Sequence, residues 1–151
     1  MSIAPVTRSV EVRVPPAKAF ELFAGHMGEW WHESHHIAPK PFADIVIEPR
    51  EGGRWFERDA DGGEALWGKV LEWDPPHRLV LGWQLNARFE YDPEFVNEVE
   101  LVFEAAGAGT RVTLTHHNLQ RFGDSAAAMA PSLGEGWAML LGRYEALATA
   151  A

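Results

Sequence analysis

Short strand-like segments separated by strong turn signals, followed by one long helix with a broad apolar stripe, constrain this chain more than any other feature. Val10, Val12 and Val14 alternate with Ser9, Glu11 and Arg13, the period of a half-buried strand over Thr7 to Val14. Pro15 and Pro16 stop that strand, and proline suits the first helical position. Ala17 to Ala24 then places Phe20 and Phe23 on one helical face, before Gly25 and Gly28 break the pattern and an aromatic piece follows at Glu29 to His32. From Phe42 the chain reads as a meander: Asp44 to Glu48, Arg54 to Arg58, Ala65 to Trp73, Arg78 to Leu85, Phe95 to Glu104 and Thr110 to His117. Gly52-Gly53, Asp61-Gly62-Gly63 and Asp74-Pro75-Pro76 supply turns, and Asn86 to Glu94 reads as a loop. Trp137, Leu140, Leu141, Tyr144 and Leu147 form the stripe of the last helix. Two readings of its start stay open: a shorter helix that precedes it from an N-cap at Asp124 and breaks near Gly134 to Gly136, or a start at the capping box Ser132-x-x-Glu135.

The pattern predicts an α+β fold: a curved seven-stranded antiparallel sheet wrapped around a long C-terminal helix, with short helices after strand one. No linker or repeat interrupts it, so residues 1–151 read as a single domain. The chain has no cysteine, which removes disulfides, thiolate metal sites and cysteine nucleophiles. Its formal net charge of −9 disfavours nucleic acid and anionic membrane, because Arg50, Arg54 and Arg58 are interleaved with Glu51, Glu57 and Asp59. Met1 to Thr7 has no basic start or apolar run, and no segment is long enough to span a bilayer. A cytoplasmic location without membrane insertion is expected, and homodimerisation is left open.

One helix covers only one face of such a sheet, and a curved sheet gripping a helix leaves space unless large side chains fill it. Parity assigns Trp55 and Glu57 to one side of their strand, as it does Leu79, Leu81 and Trp83; Val99, Leu101 and Phe103; and Val112, Leu114 and His116. The strand from Ala65 to Trp73 gives no clear parity, since Leu66/Val70 and Trp67/Leu71/Trp73 are both apolar sets. Seven tryptophans could simply build a large core, but Trp30, Trp31, Trp55, Trp83 and Trp137 lie on elements expected to face one another. With Leu141 they are candidate walls of an apolar ligand cavity, with Trp30 and Trp31 in a Gly-flanked segment able to form a lid.

The ordered set "GGRW" at Gly52 to Trp55, "WGKVLEWDPPHRLVLGWQ" from Trp67 to Gln84, "EFVNEVELVF" from Glu94 to Phe103 and "GTRVTLTHHNLQRFG" from Gly109 to Gly123 carries a family resemblance. It resembles the START-like (SRPBCC, Bet v-type) superfamily, in the bacterial branch related to the activator of heat-shock protein 90 ATPase. The resemblance implies a helix-grip fold with a hydrophobic tunnel between the C-terminal helix and the sheet. It does not imply one activity, since relatives include lipid and hormone binders, aromatic cyclases and co-chaperone domains. Eukaryotic activators join this domain to a separate N-terminal domain, for which a chain of this length has no room, so chaperone activation is not expected.

The expectation is binding of a small hydrophobic molecule, aromatic or acyl, with no cofactor and no metal. His116 and Glu57 are the polar side chains of inward parity and the candidate acid–base pair of a cyclase or hydrolase. The alternatives are a core histidine satisfied by the backbone and a carboxylate paired with Arg54 or Arg58. Tyr91 could orient a ligand from the mouth, or merely cover the edge. His26, His32, His35 and His36 cluster near Glu29 and Glu33, and His32-Glu33-Ser34-His35-His36 has the spacing of a zinc-protease helix. That motif needs a long regular helix and a third ligand downstream, whereas this segment is short and ends at Pro39, so a solvated mobile loop is the preferred reading. Glu98 and Glu100 read as outer-face acids. A stress-related or co-chaperone-like contact would need an apolar patch on the outer sheet face, for which Trp67 and Trp73 are the candidates.

Overall fold

The computed structural model describes residues 3–150. Strand β1 (Val6–Val12) leads through Pro15, which stands at the N-cap, into α1 (Pro16–Gly25) and the single turn α2 (Met27–Trp30). Strands β2 (Phe42–Ile47), β3 (Arg54–Asp59), β4 (Glu64–Asp74), β5 (Arg78–Trp83), β6 (Asn97–Ala106) and β7 (Gly109–His117) follow. The sheet is antiparallel throughout in the order β1-β7-β6-β5-β4-β3-β2. The helices after β1 therefore carry the chain from one sheet edge to the other.

A 3-10 segment, Leu119–Ser125, runs into α3 (Ala126–Ala150), which packs along β1 and grips the concave face. Its first residue is Ala126, two positions after the Asp124 cap and well before the Ser132 box, so the helix takes neither start as read from the sequence. The expected break near Gly134 to Gly136 does not form. Gly134 instead marks a close crossing, where an added Cβ would stand 2.5 Å from Arg8 Nη2 of β1. The Tyr144 hydroxyl donates to the Ala19 carbonyl at 2.7 Å and Arg143 Nε donates to the Trp30 carbonyl at 2.9 Å, fastening α3 to the first helices.

The inward parity expected for β3, β5, β6 and β7 is observed: Trp55, Glu57, Leu79, Leu81, Val99, Leu101, Val112, Leu114 and His116 are all buried. Glu98 and Glu100 lie on the other face, paired with Arg121 and Arg78. Strand β4 has no single parity because its register shifts twice, once at Trp67 against β3 and once at Leu71 against β5. Each bulge adds a residue on one strand and changes which residues face inward. Trp67, Val70 and Trp73 consequently all reach the concave side. This corrects the expectation of an outer apolar patch: Trp67 is buried against Trp55, and Trp73 packs edge-on against Phe20 of α1.

At the first bulge Gly68 lies so close to β5 that an added Cβ would stand 1.8 Å from the Gly82 carbonyl oxygen, whereas at Gly142 on exposed α3 an added Cβ meets nothing. Opposite effects are expected. Gly68→Ala should destabilise by about 3 kcal/mol or more through overpacking against backbone, and Gly142→Ala should stabilise by about 0.5–1 kcal/mol. Thermal melts of the two variants test this, and a neutral Gly68→Ala would refute the bulge geometry.

Candidate functional site

Five indoles form a closed ring inside the grip. Trp31 meets Trp67 at 5.1 Å between centroids, Trp67 meets Trp55 at 5.5 Å, Trp55 meets Trp83 at 5.9 Å, Trp83 meets Trp137 at 6.0 Å, and Trp137 returns to Trp31 at 5.6 Å. Most of these contacts are edge-to-face, the arrangement favoured by the ring quadrupoles. The indoles therefore interlock with one another, and the free space lies beside the ring.

A cavity of about 380 Å³ opens against Trp31, Trp67 and Trp83, closed by Ser34 to Ile37 of the loop after α2, by Leu85 and Phe89 after β5, and by Ser132 of α3. A second hollow of about 80 Å³ shares the Trp31, Trp83 and Ser132 walls and extends to Trp137 and Leu140. Trp30 and Leu141 are packed in the core, with Trp30 meeting Phe23, Trp31 and Tyr144 at tilted or edge-on angles, and Trp55, though part of the indole ring, does not line either hollow. Tyr91 is exposed and forms a β-bridge with Leu85, outside the cavity lining, while Phe89 stands at the mouth.

Every indole N–H of the ring has an internal acceptor. Trp31 Nε1 donates to the His35 carbonyl, Trp83 Nε1 to the Leu85 carbonyl, Trp55 Nε1 to Met27 Sδ, Trp67 Nε1 to Glu57 Oε1 and Trp137 Nε1 to His116 Nδ1. The ring thus offers a ligand apolar surface and no donor. The polar side chains of the cavity lining are those of Ser34, His35, His36 and Ser132.

Glu57 and His116 both support this arrangement from outside the cavity lining. Glu57, 1% exposed, accepts the Ile37 N–H at 2.6 Å, the Ala38 N–H at 3.3 Å and the Trp67 indole at 2.8 Å. It makes no pair with Arg54 or Arg58, which bond Glu48 and Glu64 outside. His116 receives the Trp137 N–H on Nδ1, so its proton sits on Nε2 and is donated to Asn97 Oδ1 at 2.8 Å. Asn97 Nδ2 has no acceptor among the described residues. His116 is bonded to side chains rather than to the backbone carbonyl considered from sequence.

The stretch from His32 to His36 is not helical. His26 pairs with Glu21 and Glu29 on the first helices, and both neighbours raise its pKa, Glu29 first. His32, His35 and His36 lie on the irregular loop, where His32 and His36 no longer have helical spacing. No group of three or more metal-ligating side chains comes together among the described residues. The loop is tied down rather than free, through Glu57 and through the Trp31–His35 bond. Sequence reasoning missed its role as a cavity wall, together with Leu85, Phe89 and Ser132; the repeated imidazoles beside Trp30-Trp31 were the available signal.

The family model of the activator of Hsp90 ATPase homolog 1-like proteins matches residues 13–149. The chain belongs to that family. Among solved structures, a protein described as an anthrahydroquino-gamma-pyrone synthase, Txn09, is 39% identical over 93% of this chain and 97% of its own, with a TM-score of 0.63. The self-sacrificing resistance protein CalC of Micromonospora echinospora is 30% identical over 96% and 94%, with a TM-score of 0.71. The Aha1 dimer of Colwellia psychrerythraea, 17% identical over 97% of each chain at a TM-score of 0.67, shares the fold. No curated protein matches the chain. No helix of the described residues is long and apolar enough to cross a membrane.

Burial lowers the His116 pKa to about 3, so the folded protein holds this ring neutral. The unfolded chain takes up a proton near pH 6.5 that the folded chain refuses. Stability from this residue is therefore complete above about pH 6.5 and is lost as pH falls towards about 3, by up to about 1.4 kcal/mol per pH unit. His116→Gln should remove this part of the slope. Denaturant titrations between those pH values check it, and parallel stability curves for the two proteins would contradict it.

Proposed function

We propose that this family member binds a flat, largely apolar aromatic molecule against the face of its indole ring. The carrying observation is a hollow of about 380 Å³ whose tryptophans all turn their N–H groups elsewhere. That volume lies at the small end of ligand sites, and its apolar walls with a few polar groups at one side match their usual make-up. Flat aromatic faces suit a planar guest better than a flexible chain, because a rigid ring system loses little freedom on entering. The similarity to the protein described as an anthrahydroquino-gamma-pyrone synthase supports the same class of guest.

The test uses the ring's own fluorescence. Titration with 2-methoxyanthraquinone should quench tryptophan emission saturably with one-site behaviour. Ser132 is exposed on α3 yet lines both hollows, so Ser132→Trp should fill them without disturbing the core. It should weaken binding by about tenfold or more, equivalent to about 1.4 kcal/mol. Saturation by laurate with none by the quinone would replace the aromatic guest with an acyl one. No saturation by either would overturn the proposal.

A further inference from the structure

We infer that His36, backed by the buried carboxylate of Glu57, accepts a hydrogen bond and then the proton from an aromatic hydroxyl of the guest. The inference rests on the binding reading above and names the guest as a phenol-bearing aromatic. His36 lines the cavity and is partly buried, whereas His35 beside it is exposed at the rim. The Ala38 carbonyl lies 2.8 Å from His36 Nδ1, which fixes the neutral ring with its proton on Nδ1. Nε2 is left as a lone-pair acceptor with no partner among the described residues. The ring cannot swing freely, because Glu57 clamps the same turn through the Ile37 and Ala38 N–H groups.

Charge completes the argument. Glu57 Oε2 lies 3.9 Å from His36 Nδ1, and among the described residues it is the one carboxylate within ion-pair distance of that ring. Lys40, the lysine nearest His36 in sequence, pairs with Asp61 instead. A buried carboxylate with no fixed cation beside it favours a positive charge arriving on the adjacent imidazole. It disfavours a carboxylate guest for the same reason. With the indole N–H groups all taken, the donors left in the lining are the side chains of Ser34, His35 and Ser132, and His36 Nε2 is the acceptor that a donor on the guest would meet. In the transfer the O–H bond of the phenol breaks, its electron pair stays on oxygen, and the proton bonds to His36 Nε2. The resulting imidazolium lies between phenolate and Glu57.

Paired ligands test this: 2-hydroxyanthraquinone and its methyl ether, which has the same rings and no acidic hydrogen. The wild type should bind the phenol about five- to tenfold more tightly than the ether, the usual worth of one hydrogen bond. The bound phenol should show the red-shifted phenolate absorbance at a pH where the free phenol does not. His36→Phe should abolish both the preference and the shifted band, with the ratio of phenol to ether affinity in the same variant as the readout. Glu57→Gln, which can still accept from the loop, should reduce the shifted band more than it reduces ether affinity. Equal binding of the two ligands by wild type, or a preference that survives His36→Phe, would overturn the inference and leave the binding proposal standing. Failure of both ligands to bind would overturn the two together.

Discussion

The site depends on one buried carboxylate. Glu57 enters the interior from β3 and takes hydrogen bonds from two main-chain N–H groups of a distant loop and from an indole on β4. Ion burial is costly unless the charge is fully hydrogen-bonded, so the contact makes sense only as a set. Remove the loop and a carboxylate is stranded; remove the carboxylate and two amides and an indole lose their acceptor. Sheet, loop and aromatic ring are thereby made conditional on one another.

The same logic extends around the indole ring. Each tryptophan is held twice, by edge-to-face contact with its neighbours and by an internal bond from its N–H group. His116 belongs to this scaffold as the acceptor for Trp137, and its burial as a neutral ring follows from the apolar surroundings. The outcome is an apolar floor whose polar lining comes from Ser34, His35 and His36 of the loop and from Ser132 of α3. For the guest proposed above, such a division would let the floor supply affinity and the polar side chains supply orientation.

Much of the fold could be read from alternation and turn chemistry. Val99, Leu101 and Phe103, and Leu79, Leu81 and Trp83, point inward as the period of two requires. Strand β4 resisted because two bulges change its inward set, and nothing in a run of apolar residues marks where the extra residue falls. The start of α3 was similarly hidden, since Asp124 and the Ser132 box are each sound local signals, and the helix begins instead at Ala126, where the 3-10 segment from Leu119 runs into it. Within the site, Trp31, Trp83 and Trp137 could be picked as neighbours. Glu57 was visible as an inward acid, but its partners are peptide N–H groups about twenty residues away, which leave no trace in side-chain identity. Ser34 to Ile37 look like a solvated stretch for the same reason.

That clamp has a consequence for how the binding rim can diversify. Glu57 grips main-chain amides at Ile37 and Ala38, so the fastening is indifferent to which side chains those positions carry, proline excepted. Descendants of such a sequence could exchange the residues facing the guest while keeping the strap buckled, altering what is admitted without rebuilding the architecture that admits it.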